Sequence, residues 1–376
     1  MERTKKVCMA FLGNPLHDSR ITNLTNSFRY DGFRVSVIGF DWFITTEDYS
    51  DDYFQVFKLV KGKVRILFYL RFAFILLKEL SKIRANLYIA EDFYSLPFVY
   101  FIAKRRKAKI YYNSRELYAF LGGLRKRPLL QSIVKMIEKY FIKKVDLVLT
   151  TGEMDSEFLE KFYGINNTFV IRNIPLFQKP TKKVDFRKEY GIPDNKLILL
   201  YQGVLLEGRG IPQILRAMEF IENSVLLILG DGEQKSYFQK LASELGVGER
   251  IIFAGTIKQG DLINYTAGAD VGLSLIENIS ISYYHALPNK LFEYIMAGLP
   301  VLASDLPQMK KIIDTYEVGE AIDISDTMTI VKTIKKWEES YFLMEKFRHN
   351  CVEAARELNW EAEYQRAKEK LLSPIR

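Results

Sequence analysis

Histidine and cysteine are scarce in this 376-residue chain: its histidines are His17, His285 and His349, and its cysteines are Cys8 and Cys351. Three scattered imidazoles cannot build a histidine-rich metal site, and no carboxylate cluster has convincing ligand spacing. The two cysteines stand at opposite ends, which excludes a disulfide framework and makes a reducing cytoplasm the default expectation. Long apolar runs are missing as well. The longest, residues 66–77, is broken by Arg71 and is too short to span a bilayer. Residues 1–6 lead into a short apolar run broken by Asn14 and Pro15, so no secretory leader is expected. There is no low-complexity segment and no short-period repeat.

What is present is a well-balanced globular composition, 48% hydrophobic and 27% charged, long enough for two domains. The charge is unevenly spread. Residues 1–150 hold 27 Lys+Arg against 14 Asp+Glu, whereas residues 151–376 hold 27 against 32. The basic half is therefore expected to face something anionic, either a nucleic acid or a membrane surface. No nucleic-acid recognition motif supports the first. For the second, residues 58–84 interleave Lys58, Lys61, Lys63, Arg65, Arg71, Lys78, Lys82 and Arg84 with Leu67, Phe68, Leu70, Phe72 and Phe74. With Lys104-Arg105-Arg106-Lys107 and Arg125-Lys126-Arg127, this stretch reads equally as a membrane-surface element or as a core helix with a basic edge.

Short β-rich apolar runs alternate with helical patterns along the whole chain. The strand-like runs are 6–12, 33–40, 86–90, 108–112 and 145–150, then 196–201, 225–229, 251–254, 271–275 and 300–303. Near-continuous apolar strands joined by helices imply parallel sheets covered on both faces. Two such sets imply two Rossmann-like, doubly wound α/β domains. A proline-marked polar link at residues 175–183 suggests a boundary, giving domains 1–177 and 178–357.

Ligands of doubly wound folds sit beyond the carboxyl ends of the strands, so the glycines and charges there are the candidates. Tyr201-Gln202-Gly203 is followed by Glu207-Gly208-Arg209-Gly210 and a helix, which places Arg209 where amide N–H groups already favour anions. A surface arginine in a glycine turn is the alternative. Gly230-Asp231-Gly232 lacks the third glycine of the dinucleotide fingerprint, since Lys235 stands there. In the segment from His285 to Pro300, Pro288 fits the first turn of a helix that Gly298 and Pro300 end. Asn289, Lys290 and Glu293 then share a face, with a cation for phosphate and a carboxylate for sugar hydroxyls. On spacing alone, an ordinary Lys290–Glu293 surface ion pair reads as well.

In this order and at these separations the segments resemble the family-four retaining glycosyltransferases of GT-B fold. Leu229-Gly230-Asp231-Gly232, Phe253-Ala254-Gly255-Thr256, Leu287-Pro288-Asn289-Lys290-Leu291-Phe292-Glu293 and Ala297-Gly298-Leu299-Pro300 extend the likeness through the C-terminal half. The resemblance implies two Rossmann-like domains facing across a cleft, with a nucleotide-sugar donor on the C-terminal one and a glycan or lipid-linked acceptor on the N-terminal one. It implies that Glu293 accepts hydrogen bonds from the donor ribose and that Arg209 and Lys290 neutralise the diphosphate. Backbone at Leu287, Pro288 and Asn289 would hold the distal phosphate; Gly255, Thr256 and Ile257 would line the base; Gly203, Gly230 and Asp231 would also bind the donor.

The N-terminal half resembles the family through Asp18-Ser19-Arg20, through Glu91-Asp92 and through Arg115-Glu116, with Gly13 and His17 beyond the first strand as further cleft candidates. A C-terminal helix near 358–376 would cross back to this half. The expectation is a cytoplasmic enzyme, peripheral on the inner face of the membrane, that transfers sugar with retention from a UDP or GDP donor, without metal or other cofactor and without nucleic acid. A catalytically weak sugar-nucleotide-binding partner subunit and a sugar-nucleotide epimerase of the same fold are the alternatives. Three departures stand out: His285 occupies the place of the family's first glutamate, Val204 follows Gly203 where an arginine is common, and Glu91 and Arg115 replace histidines. One of those histidines usually contacts the transferred sugar.

Overall fold

A computed structural model describes residues 5–42, 49–62 and 64–375 of the chain. They form two compact units, one of residues 1–173 with 363–376 and the other of residues 174–362.

The first unit carries strands β1 (Lys6–Ala10), β2 (Arg34–Asp41), β3 (Tyr49–Ser50), β4 (Phe54–Lys58), β5 (Leu87–Ala90), β6 (Lys109–Ser114), β7 (Leu147–Thr150) and β8 (Thr168–Val170). Its helices are α1 (Ser19–Tyr30), α2 (Arg65–Lys82), α3 (Leu96–Arg106), α4 (Pro128–Ile142) and α5 (Glu153–Tyr163). The sheet runs β3-β4-β2-β1-β5-β6-β7-β8 and is parallel except where β3 pairs antiparallel with β4. Alternate residues of β1 explain why both faces are covered. Cys8 and Ala10 face the core beneath α2, α3 and α4, while Val7 and Met9 are equally buried on the other side, where Thr25 of α1 reaches the Met9 sulfur.

The second unit carries β9 (Leu197–Gln202), β10 (Ser224–Leu229), β11 (Ile251–Gly255), β12 (Val271–Ser274), β13 (Val301–Ser304) and β14 (Gly319–Ile322). Its helices are α6 (Phe186–Tyr190), α7 (Ile211–Ala217), α8 (Lys235–Glu244), α9 (Leu262–Thr266), α10 (Ile281–Tyr284), α11 (Asn289–Met296), α12 (Pro307–Tyr316), α13 (Thr327–Glu339) and α14 (Tyr341–Ala354). The sheet order is β11-β10-β9-β12-β13-β14, all parallel. Leu200 and Leu227 pack into one core while Leu199 and Leu226 pack into another, so the continuous apolar runs are strands buried on both faces.

Helix α15 (Trp360–Leu372) returns the chain to the first unit. Within that unit Glu363 holds it, accepting the Arg172 backbone N–H at 2.8 Å and its guanidinium at 2.7 Å, and Tyr111 donates to Leu371 O at 2.8 Å.

All ten sequence-read strands exist, with ends shifted by a residue or two. The sequence reading missed β3, β4, β8 and β14, which are short or lie at sheet edges. Pro288 is the residue before α11 rather than in its first turn. Lys63 lies outside the described residues.

Both sheets change direction beside their first strand. The chain builds outward from β1 through β2, then returns to lay β5 on the other side; β9, with β10 and β12, repeats the device. Connections leave in opposite directions at such a point, so a crevice opens beyond the strand ends. The candidate residues fall at these two places.

Candidate functional site

In the second unit, Tyr294 of α11 plugs the opening between β9 and β12. Its hydroxyl is shared between Leu200 O and Leu273 O at 3.2 and 3.3 Å and accepts the Gln202 N–H at 3.0 Å. That anchor sets the start of α11 against the end of β9. No side chain among the described residues caps the helix; the Leu291 N–H donates to Pro288 O at 3.1 Å, which leaves the first-turn N–H groups of Asn289 and Lys290 for an anion.

Lys290 lies in that first turn and is 8% exposed. Its ammonium sits 3.6 Å from the centre of the Tyr201 ring, beside Gly203, and has no hydrogen-bond partner among the described residues. Burial, followed by the nearby Arg209 charge, holds its pKa well below the usual lysine range, although Glu293 pulls the other way. The surface Lys290–Glu293 ion pair is therefore not what forms. A buried ammonium without an acceptor is costly, and this one is held open at a helix N-terminus.

Glu293 turns away from Lys290. Its Oε2 accepts from Gln202 Nε2 at 2.5 Å, Gln202 Oε1 in turn accepts from Thr266 Oγ1 at 2.8 Å, and the Gln259 side chain also bonds Glu293. Burial raises the Glu293 pKa against these hydrogen bonds. The carboxylate edges a shallow, open pocket lined by Pro175, Gln178, Gln259, Leu262, Ile263, Thr266 and Met296. Its lining mixes apolar side chains with Gln178, Gln259, Thr266 and Glu293, which can hydrogen-bond hydroxyls.

Arg209 is half-buried on the loop after β9, its guanidinium 5.3 Å from the Tyr283 ring centre. Among the described residues it makes no ion pair, which leaves its charge for a ligand. Gly230 has a different task. A β-carbon there would stand 2.0 Å from Gly203 O, and its φ is +148°. The glycine allows the ends of β9 and β10 to close together, so it shapes the site's backbone and does not merely admit a ligand.

In the first unit a buried charged network occupies the equivalent place. Arg115 clasps Asp18 with both terminal nitrogens, at 2.7 and 2.5 Å, and Asp18 also caps α1 by accepting the Ile21 N–H at 2.9 Å. Burial would raise the Asp18 pKa, but Arg115 and the cap overcome it and hold it low; Arg115 is correspondingly raised. Arg20 is fully buried and donates to Ile171 O at 2.6 Å and Asn113 Oδ1 at 2.9 Å. Burial and the Arg115 charge push its pKa down to about 10. Glu91, also fully buried, accepts from Asn113 Nδ2 at 2.7 Å, and burial raises its pKa. Asp92 receives the Leu12 N–H at 2.5 Å and the Ser95 N–H at 2.7 Å, clamping the loops after β1 and β5.

Residues 182–358 match the family model described as Glycosyl transferases group 1. Residues 182–358 are a glycosyl transferases group 1 domain. An uncharacterized glycosyltransferase of Methanocaldococcus jannaschii is 30% identical over 35% of this chain and 33% of its own length. The lipopolysaccharide core biosynthesis glycosyltransferase LpsE of Rhizobium meliloti is 27% identical over 40% of this chain and 42% of its own. The chain thus spans less than half the length of these curated relatives. Among solved structures, sucrose-phosphate synthase of Thermosynechococcus elongatus superposes with a TM-score of 0.82 at 17% identity, covering 99% of each chain. Anabaena HepE in complex with UDP-glucose gives 0.74 at 14% identity, covering 98% of this chain and 99% of its own. These likenesses show that the fold is GT-B.

Within the group 1 domain the structure brings together Arg209, Gly203, Gly230, Lys290 and Glu293, with half-buried Leu287, Pro288 and Asn289 at the helix start. It does not bring in Asp231, which is exposed and pairs with Lys235 at 3.2 Å on the following helix. Gly255, Thr256 and Ile257 precede the pocket wall, whose residues from this loop and α9 are Gln259, Leu262, Ile263 and Thr266. The sequence reading missed Gln202, Gln259 and Thr266 as site residues. Polar residues at or just past the ends of β9 and β11 were the available signal for Gln202 and Gln259.

In the first unit Arg20, Glu91 and Asp92 are buried and bond loop backbone or Asn113, while Arg20 Nε and Glu91 Oε1 have no hydrogen-bond partner among the described residues. Arg115 gives both terminal nitrogens to Asp18, and its Nε has no hydrogen-bond partner among the described residues. Gly13 bonds β2, accepting the Phe40 N–H at 2.9 Å; His17 and Glu116 are exposed. His285 is buried. His349 is exposed on α14.

Proposed function

We propose that the chain is a retaining glycosyltransferase that moves a sugar from a nucleoside-diphosphate sugar to a hydroxyl of a cell-envelope polysaccharide or lipid-linked glycan. The observation that carries this reading is the unpaired, buried Lys290 ammonium at the uncapped start of α11, one turn before Glu293 at the pocket rim. The lipopolysaccharide role of the Rhizobium relative and the UDP-glucose held by HepE support the acceptor and donor classes.

The chemistry follows from charge. A glycosyl diphosphate breaks its anomeric bond as negative charge grows on the leaving phosphate and positive charge grows on the sugar ring. Lys290, Arg209 and the first-turn amides of α11 stabilise the departing polyanion where it develops, so this set of groups suffices without a metal. Glu293, braced by Gln202 and Gln259, accepts the ribose hydroxyls and fixes the donor's register. Retention is proposed from the family resemblance.

The test is incubation of the purified chain with UDP-, GDP- and ADP-sugars and a lipid-linked acceptor, with product anomers assigned by NMR. Transfer with the donor's anomeric configuration is expected. Binding without transfer or donor hydrolysis would point to a partner subunit, and an epimerised donor to an epimerase; either overturns the proposal.

Gln202→Leu gives a finer expectation. It removes the brace on Glu293 but touches no phosphate-facing cation. Affinity for nucleoside diphosphate should fall roughly tenfold, while affinity for inorganic pyrophosphate stays unchanged. Calorimetric titration of both ligands reads the difference.

A further inference from the structure

Helices α2, α3 and α4 pack side by side over one face of the first sheet, and their inner residues share one core. A helix in that position should turn a polar face to water. These do not. On α2 the buried stripe is Phe68, Phe72, Leu76 and Leu80, at every fourth residue. Opposite it stand Ile66, Leu67, Leu70 and Phe74, with Phe74 71% exposed. On α4 the outward residues Leu129, Ile133, Met136 and Tyr140 recur at helical spacing, with Leu129 83% exposed. Phe101 of α3, also exposed, lies on the helix between them.

The charges around this apolar surface have one sign. Arg71 and Lys78 flank the α2 stripe, Lys104 and Arg105 follow Phe101, Arg125, Lys126 and Arg127 precede α4, and Lys139 and Lys143 edge its stripe; all are exposed. The acids are hidden. Between Lys58 and Lys144, Glu79, Glu91, Asp92 and Glu138 are buried, and Glu116 is the exposed exception. Glu138 faces inward, receiving the hydroxyls of Tyr112 and Tyr163 at 2.7 and 2.6 Å.

No helix among the described residues is long and apolar enough to cross a membrane. We propose that the outer face of α2, α3 and α4 docks the protein flat on an anionic lipid surface. Phe74, Leu70, Leu129 and Met136 enter the acyl boundary while the lysine and arginine collar meets lipid phosphates. The two signals act together, because partial insertion of apolar side chains and attraction to anionic headgroups add to a stable, reversible attachment. A protein partner would have to be acidic around an apolar centre, and a second copy of this chain would bring its basic collar against the same charge. Lipid fits both properties of the surface.

The experiment is flotation of the full chain with phosphatidylglycerol-containing vesicles and with pure phosphatidylcholine vesicles, at low and high salt. Binding is expected to the former, weakened by salt, and weaker to the latter. Leu70→Ser with Phe74→Ser should reduce it roughly tenfold, since two inserted side chains are lost. Each of Arg105→Gln and Lys139→Gln should reduce it roughly fivefold. All four positions are exposed, and circular dichroism and thermal midpoints should match wild type. Failure to float with phosphatidylglycerol at low salt, or equal binding by every variant, would overturn the proposal. So would a stable dimer by light scattering that Phe74→Ser dissociates.

Discussion

Replacing Lys290 with methionine is expected to make the ligand-free protein more stable and a worse binder of nucleoside diphosphate. The lysine ammonium is buried over the Tyr201 ring without a hydrogen-bond partner, and its pKa is held well below that of a free lysine. A group depressed in the folded state contributes stability above its unfolded pKa and loses it as pH falls through its folded one. Near neutrality this position is therefore a cost, and methionine of similar length removes it. The expected gain is about 1–3 kcal/mol, or several degrees in Tm for a domain of this size. Binding should move the other way. Losing a charge-assisted contact to phosphate costs about 2 kcal/mol, roughly thirtyfold in affinity. A bound diphosphate also favours the charged lysine, so wild type should take up a proton on binding, and bind more weakly, as pH rises through the lysine's depressed titration range. Calorimetry in buffers of differing ionisation enthalpy reads that uptake, which Lys290→Met should lack. A variant less stable than wild type, with unchanged affinity, would contradict this account.

The second large effect lies in the first unit. Arg115→Met breaks the two-pronged contact with Asp18, leaving a mostly buried carboxylate that also caps α1. Breaking a buried pair from one side costs about 3–5 kcal/mol, because the abandoned charge keeps its desolvation penalty. Asp18→Asn added to Arg115→Met should recover a large part of that loss, giving a strong coupling in a double-mutant cycle followed by urea unfolding. The pH dependence has a definite sign. The Asp18 pKa is depressed, so its stabilisation is present above the ordinary aspartate range and fades in acid as the carboxyl protonates. Arg115→Met should flatten that acid limb. A loss below about 1 kcal/mol would match a solvent-screened pair instead.

The two arginine and lysine positions show what a linear reading reaches and what it misses. Strand and helix alternation was legible because parallel strands covered on both faces write continuous apolar runs into the chain. The strands that escaped carry little of that signal: Thr168–Val170 is three half-buried residues at a sheet edge, and Tyr49–Ser50 is two exposed ones. At the candidate site, spacing put Asn289, Lys290 and Glu293 on one helix face, and the family resemblance joined Arg209 to them. Spacing could not decide between a surface ion pair and a phosphate cation. What speaks against the surface ion pair is Tyr201 and Gly203, nearly ninety positions before Lys290, against which its side chain is buried. Gln202 and Thr266 were invisible as a brace for the same reason, since contacts among 202, 266 and 293 exist only after β9 and α9 fold against α11.

In the first unit, resemblance placed Glu91 and Arg115 where histidines are usual, which suggested open cleft residues. The fold spends them otherwise. Arg115 lies 97 positions from its partner Asp18, and Glu91 meets Asn113 across neighbouring strand ends. No local pattern marks such pairs. The exposed apolar faces of α2 and α4 were half-legible: the basic and aromatic mixture is in the sequence, but which side of each helix is covered depends on the sheet beneath.

The central claim is that the second unit holds a nucleoside-diphosphate sugar at the Lys290–Glu293 helix. Equilibrium titration of wild type and Glu293→Ala with a panel of UDP-, GDP- and ADP-sugars tests it most directly. The account predicts saturable binding of at least one donor by wild type, weakened at least tenfold in Glu293→Ala through lost ribose hydrogen bonds. Saturable binding of none of them, or equal affinity in the two proteins, would contradict it.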